Sequence, residues 1–138
     1  MNLRVSVTDS PGTAAPFGLQ DRGPVVQVDL VNRVTHEKRS GLALIDTGAK
    51  FSCFDQEVAT ELSMPIVDRG WISSATGRDL RPVYSGRIAV HSLGNFDADR
   101  AFGASLQDDG LIVLLGRDAL QHAVLVYNGA EAAVSIAL

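Results

Sequence analysis

The sequence predicts a mostly β domain, a small closed or folded sheet with one or two short helices, and three observations carry that reading. Short runs rich in Val, Ile, Leu and Thr recur along the chain, separated by clusters of Gly, Pro, Asn, Asp and Ser. Several of these runs alternate apolar with polar residues, the period of a half-buried strand. The 138 residues suffice for one hydrophobic core and are too few for two domains.

In chain order, Leu3 to Val7 alternates as a strand does, and Ser10-Pro-Gly-Thr-Ala-Ala-Pro16 reads as a loop. Residues 1–24 are therefore an N-terminal strand and loop ahead of a main domain over residues 25–138. Val25 to Val31 and Arg39 to Ile45 form paired strands, with the polar stretch Asn32 to Lys38 between them. Lys50 to Phe54 resumes as a strand. Asp55 to Leu62 reads as a short helix, N-capped by Asp55 and stopped ahead of Pro65. Trp71 to Ser74 and Leu80 to Val90 flank a turn at Ala75-Thr76-Gly77-Arg78-Asp79. Asn95 to Ser105 and Leu111 to Leu115 follow as strands. Val124 to Tyr127 and Ala133 to Leu138 form a hairpin around Asn128-Gly129. The chain has no internal repeat and no low-complexity segment.

Composition narrows the functional classes. A net charge of −4 argues against nucleic acid as a partner, which calls for a basic surface. No apolar run approaches the roughly 18 residues that span a bilayer, so no membrane segment is expected in this chain. Met1 to Ser10 lacks the apolar core of a secretory signal, and a single cysteine, Cys53, cannot form an intrachain disulfide. A cytoplasmic setting is the expectation, whether the chain stands alone or is a soluble piece of a larger protein. His36, His91 and His122 share no metal-ligand spacing with one another or with Cys53, and no phosphate loop, dinucleotide fingerprint or G-x-S-x-G is present. Neither metal nor cofactor is expected, and Cys53 reads as a buried apolar residue of a strand.

The chemistry concentrates in Gly41-Leu-Ala-Leu-Ile-Asp-Thr-Gly-Ala49, where an apolar strand delivers Asp46 into a Thr47-Gly48 turn. A carboxylate there is costly to bury unless something uses it. A given triplet arises by chance in about one chain in thirty of this length, so its neighbours must decide. Downstream, Leu111-Ile-Val-Leu-Leu-Gly-Arg-Asp-Ala-Leu120 repeats the grammar: an apolar strand, a Gly, then a short helical segment. Together the two stretches resemble the retropepsin-like aspartic proteases, over roughly residues 25–138.

That resemblance implies a small closed acid-protease β-barrel, active as a two-fold homodimer on a peptide or protein substrate. Aspartic protease chemistry needs two carboxylates that share one proton. Only one Asp-Thr-Gly is present, because Asp9-Ser10 runs into Pro11. The second Asp46 must come from another copy of the chain. The resemblance makes Asp46 alternately general base and general acid, Thr47 a hydrogen-bonding residue across the dimer axis, and Gly48 the point where backbone approaches the carboxylates. Ala49 and the Ala75-Thr76-Gly77 turn, read as the tip of a substrate-covering flap, would contact substrate. Leu115, Gly116, Arg117 and Asp118 would support the site, with Asp118 capping the following helix. Lys50 stands where retroviral members carry the acid that pairs with this Arg, so Arg117 must find another acid or a backbone carbonyl. Trp71 reads as a core or cleft-wall aromatic. Leu3 to Val7 and Ala133 to Leu138 would weave into an interface sheet between subunits. Two alternatives stay open: Ala75-Thr76-Gly77 as an ordinary surface hairpin, and the whole domain as a non-catalytic dimerisation or peptide-binding module.

Ala49 generates a prediction. Pepsin-like enzymes carry Ser or Thr at this position, whose hydroxyl donates to the ionised carboxylate; Ala cannot. Activity is expected at less acidic pH than in pepsin-like enzymes, and Ala49→Ser should move the acidic limb of the pH–rate profile to lower pH. A wild-type optimum near pH 2–3, or an unmoved limb in the variant, would contradict this.

Overall fold

The computed structural model describes residues 5–8 and 18–137; the loop expected at Ser10–Pro16 lies outside them, as do Leu3 and Arg4. The strands are β1 (Val5–Thr8), β2 (Val25–Val31), β3 (Lys38–Ile45), β4 (Cys53–Asp55), β5 (Ile66–Ser74), β6 (Gly77–Val90), β7 (Gly94–Ala104), β8 (Val113–Leu115), β9 (Val124–Asn128) and β10 (Ala133–Ala137). The helices are short: α1 (Gly18–Arg22), α2 (Gln56–Glu61) and α3 (Arg117–Leu120), with a 3-10 turn at Gln107–Asp109. The chain is mostly β, as its alternation predicts.

Two sheets result. Seven strands run in the order β2-β3-β8-β4-β7-β6-β5, and β2 pairs in addition with β6; the other sheet is β1-β10-β9. The fourteen residues of β6 serve two neighbours in turn, β5 along its first half and β2 along its last four residues, Arg87 to Val90. Buried Ile88 and Val90 alternate there with the less buried Arg87 and Ala89, matching the period-2 pattern of the sequence. Inward-facing Val28, Leu30, Ala43, Ile45, Phe54, Val113 and Leu115 meet in one core, which Val134 and Ile136 of the second sheet complete from below. Phe54 is fully buried and stacks on Tyr84 with ring centroids 6.3 Å apart.

The crossing that matters most is at β8. Consecutive strands β3 and β4 do not pair with each other; β8 lies between them, parallel to β3 (Ile45↔Leu115) and antiparallel to β4 (Cys53↔Leu114). The connection from β3 to β4, residues 46–52, must therefore pass around the end of β8. This is why the strand expected at Lys50–Phe54 begins only at Cys53: the backbone before it bonds to residues 115–118 rather than to a ladder.

Other departures from expectation have local causes. Helix α1 falls where strand and loop were expected; five residues are too few for a helical period to register, and Leu19 is its buried anchor. Three α-helices stand among the described residues where one or two were expected, the third being the segment after Gly116. The hairpin expected around Asn128-Gly129 forms, with a turn longer than the dipeptide itself. Asn128 pairs with Ala133 across a four-residue connection, and its side-chain oxygen accepts from the Glu131 N–H at 3.1 Å, drawing the turn one residue pair beyond the dipeptide. The β5–β6 hairpin is tighter and longer than the sequence suggests, with Ser74 opposite Gly77 and only Ala75 and Thr76 between. Strands β1 and β10 pair within the one chain, Val5 opposite Ala137. Asp55 does cap α2, accepting from Val58 N–H at 3.1 Å.

Phe54→Ala should empty the centre of this core. The expected loss is about 3–5 kcal/mol of unfolding free energy, measured by urea titration at constant m-value. A loss below about 1 kcal/mol would mean that Phe54 is not where the sheets are held together.

Candidate active site

Asp46 follows the last residue of β3, and its main chain is held at both sides of the turn. Its N–H donates to the Leu115 carbonyl at 2.9 Å, continuing the β3–β8 ladder by one bond. Its own carbonyl accepts from Ala49 N–H at 3.2 Å, closing the turn through Thr47 and Gly48. The side chain is half-buried, and one carboxylate oxygen accepts the Gly48 N–H at 2.9 Å. A Cβ on Gly48 would stand 3.2 Å from that oxygen, so the absence of a side chain lets backbone and carboxylate approach. Thr47 and Gly48 are exposed.

The turn is tied down by the segment after β8. Arg117 N–H donates to the Ala49 carbonyl at 2.8 Å, Asp118 N–H to the Lys50 carbonyl at 3.2 Å, and the Arg117 guanidinium to the Thr47 carbonyl at 2.8 Å. Arg117 thus takes a backbone carbonyl in place of the acid that Lys50 displaces. Lys50 instead lies over the Phe51 ring, 5.2 Å from its centroid.

Ser52 is the residue whose part the sequence did not reveal. It is fully buried, and its hydroxyl uses both of its capacities: it donates to Asp118 Oδ1 at 2.8 Å and accepts the Gly116 N–H at 3.0 Å. Its backbone N–H also donates to the Asp118 carboxylate, at 3.0 Å to Oδ2. Gly116 is in an extended conformation, so its requirement is space: a Cβ would meet the Phe51 carbonyl carbon and oxygen at 2.7 Å and Ser52 N at 2.9 Å. Asp118 does not cap α3. Gly116 occupies the N-cap position, while Asp118 lies inside the helix and turns its carboxylate to Ser52 and to its neighbour Ala119 N–H. A Ser immediately before a buried strand gives no sign, in sequence, of a partner 66 positions away.

The site opens into a cavity of about 410 Å³ lined by Asp46 with Leu44, Leu106, Leu111 and Leu114, and by Asp21, Arg22 and Asp109. The α1 and 3-10 residues of that wall also escaped the sequence reading. Ala75, Thr76 and Gly77 form the exposed tip of the β5–β6 hairpin and are not among the residues lining this cavity. Trp71 is not a core aromatic: it is 59% exposed, and the Arg78 guanidinium stacks over its ring at 5.0 Å. Cys53, beside the site in β4, is largely buried; burial first, then the nearby Asp118 and Asp46 charges, push its thiol up to about 11. A thiol so shifted is neutral at pH 7 and offers no nucleophile. Among the described residues no group of three or more His, Cys, Asp or Glu could hold a metal ion.

The Ser52–Asp118 pair is open to a double-mutant cycle. Asp118→Ala leaves the Ser52 N–H and hydroxyl without an acceptor, and Ser52→Ala leaves Gly116 N–H without one. Each should cost about 1–3 kcal/mol, and the double variant less than the sum by at least about 0.5 kcal/mol. Additive costs by urea unfolding would show that the two side chains act independently.

Both the sequence and the fold are similar to those of known proteins. The family model described as gag-polyprotein putative aspartyl protease matches residues 33–122, which include Asp46 and the whole 115–118 segment. The fold is similar to a retropepsin-like aspartic protease from Rickettsia conorii, with a TM-score of 0.53 at 11% identity, covering 99% of this chain and 94% of that one. It is also similar to the protease of simian foamy virus, with a TM-score of 0.51 at 14% identity, covering 71% of this chain and 92% of that one. No curated protein matches the sequence. No helix among the described residues is long and apolar enough to cross a membrane. With a family match across most of its length and a fold shared with two such enzymes, the chain belongs to the retropepsin-like aspartic proteases.

Proposed function

We propose that the chain is an aspartic endopeptidase that acts as a two-fold homodimer, with Asp46 of each protomer on the axis. The observation that carries this reading is the state of Asp46: a half-buried carboxylate facing a cavity, holding one hydrogen bond from Gly48 N–H and no ion pair among the described residues. A carboxylate accepts about four such bonds, so capacity is left for a water and for a second carboxylate. With a single Asp-Thr-Gly in the sequence, that second carboxylate belongs to a second copy.

In the dimer the two carboxylates share one proton, because two like charges in contact do not both ionise. The ionised member takes a proton from a water between them as that water attacks the scissile carbonyl carbon. The protonated member donates to the carbonyl oxygen. As the tetrahedral intermediate collapses, the carboxyl that took the water's proton donates it to the leaving amine nitrogen while the other carboxylate takes a hydroxyl proton from the intermediate; the C–N bond breaks, the product carboxyl forms, the pair again shares one proton, and no covalent enzyme intermediate forms. No metal or cofactor takes part.

The remaining assignments follow. The Thr47 hydroxyl has no hydrogen-bond partner among the described residues, which suits a bond across the axis. Gly48 and Ala49 border the substrate backbone, and Ala75, Thr76 and Gly77 close over it as a flap. Leu115, Gly116, Arg117 and Asp118 hold the turn in place. The extra β2–β6 pairing supports a closed barrel for residues 25–138. Sheet β1-β10-β9, with Val124 and Val126 exposed on its edge strand, supports a subunit boundary there.

Asp46→Asn tests the proposal. Cleavage of a peptide library should fall by about three to four orders of magnitude while sedimentation still reports the dimer. If the wild type cuts nothing across pH 4–8, or the variant cuts as well as the wild type, the chain is not this enzyme.

A further inference from the structure

Two phenylalanine rings pack on each other outside both hydrophobic cores of the chain. Phe51 belongs to the 46–52 connection that carries Asp46, and Phe102 to β7; their ring centroids lie 5.6 Å apart with the planes at 45°. The larger core gathers around Phe54 and a smaller one around Val25, Leu106 and Leu111, and neither ring is a member. Both are half-buried. Their neighbours show what the pair joins. β5 is the last strand of its sheet and is ladder-bonded to β6 alone, yet the Phe102 ring reaches past β6 to lie against it at Gly70, where a Cβ would stand 2.7 Å from Cε1 and 3.2 Å from Cζ. At the other end, the Phe51 main chain stands hard against Gly116, whose absent Cβ would meet the Phe51 carbonyl at 2.7 Å. The next residue is fixed too, because the Ser52 carbonyl accepts the Phe102 N–H at 3.2 Å. A push on the Phe51 ring therefore has one way out, back along the connection through Lys50 to Ala49, whose N–H holds the Asp46 carbonyl at 3.2 Å.

We infer that Phe51 and Phe102 are positioning residues, through which the seating of the β5–β6 hairpin on β7 sets the geometry of the Asp46 turn. The catalytic consequence rests on the protease reading; the coupling itself does not. Packed side chains pass on a displacement when no slack separates them, and here the link from hairpin to turn is two rings long. Gly70 sets the depth of that link, because the missing side chain is what lets Phe102 lie against the β5 backbone. Rings that served only as apolar bulk would tolerate a shift of this depth. Rings that position the turn would not, since a small misplacement of a catalytic carboxylate is costly to the rate.

The test uses the full chain with Gly70→Ala, which adds the Cβ that the ring excludes, and Phe102→Leu, which shortens the link. Hydrogen exchange followed by NMR reads the turn directly. In each single variant the Ala49 amide should exchange about tenfold faster, while amides of the β2–β3 ladder keep their wild-type rates. In the double variant the shorter Leu side chain makes room for the added methyl, so Ala49 should exchange no faster than in either single one. On a peptide substrate each single variant should lose about tenfold in kcat with KM within about twofold, because the turn has moved and the binding surface has not. Unchanged exchange at Ala49, acceleration spread evenly over the ladders, or an additive effect in the double variant overturns the coupling. A faster Ala49 amide with an unchanged kcat overturns the positioning role. A wild type that cleaves nothing removes the protease reading alone, because the exchange rates still decide whether hairpin and turn are coupled.

Discussion

The turn that carries Asp46 exists because β8 is inserted between two strands that are neighbours in sequence. With β3 and β4 held apart by β8, the seven residues joining them cannot make a hairpin and must arch over the strand's end. Backbone without a ladder has to find other partners, or its buried polar groups cost several kcal/mol in total. Residues 115–118 supply them in succession: Leu115 carbonyl to Asp46, Arg117 and Asp118 N–H groups to Ala49 and Lys50, and the Asp118 carboxylate to Ser52. The arch passes so near β8 that Gly116 has no space for a Cβ. Position of the carboxylate is thereby set by main-chain bonds on both sides of a turn, and the geometry tolerates the loss of the Arg–acid pair that Lys50 rules out.

Two aspartates nine residues apart show how surroundings divide structural from chemical roles. Asp55 is 2% exposed and accepts Val58 N–H, Leu106 N–H and the Gln107 side-chain amide, so little of its capacity is left. It joins the start of α2 to the end of β7 and the 3-10 turn. Asp46 is half-exposed, with one bond, in a cavity. A saturated carboxylate stabilises a fold; an unsaturated one beside an apolar floor is available to a water, a proton and a partner. Both residues stand where a strand gives way to a turn or helix, and sequence context alone separates them only through the Thr-Gly that follows Asp46.

That difference measures what could be read in advance. Strand alternation in β2, β6 and β7 is legible because burial on one face imposes period 2, and the Asp55 cap because its donors lie within four residues. Contacts that span long separations leave no local trace. Ser52 with Asp118 is one case. Asn32 is another: it is buried, donating to the Leu62 and Ser63 carbonyls while accepting from Val34 and Thr35 N–H, yet it reads in sequence as the start of a polar connection. Helix α1 and the 3-10 turn are too short to show a period, and with them the charged rim of the cavity stayed out of sight. The hairpin around Asn128-Gly129 is legible and forms, β9 pairing with β10, although its turn is longer than the dipeptide. A local signal was present, but the register of β9 with β10 placed it at the strand end and gave the Asn side chain a different bond.

The β5–β6 hairpin follows from the same accounting of partners. Near its base β6 is paired on both sides, by β5 and by β7 at Val83 and Tyr84, and a Cβ on Gly70 would press into Phe102 at 2.7 Å. Arg81 marks the last tether, its guanidinium donating to the Gly103 carbonyl at 3.2 Å. Beyond that point β7 no longer accompanies it, and a two-stranded ribbon is marginally stable in water without a third partner. Cross-strand pairs carry the distal part: Trp71 opposite Leu80, and Arg78 over the Trp71 ring. Trp71 is therefore exposed because it braces the ribbon against itself rather than against the core. Anchored at Gly70 and Arg81, the hairpin holds its distal part by its own cross-strand pairs rather than by a third strand.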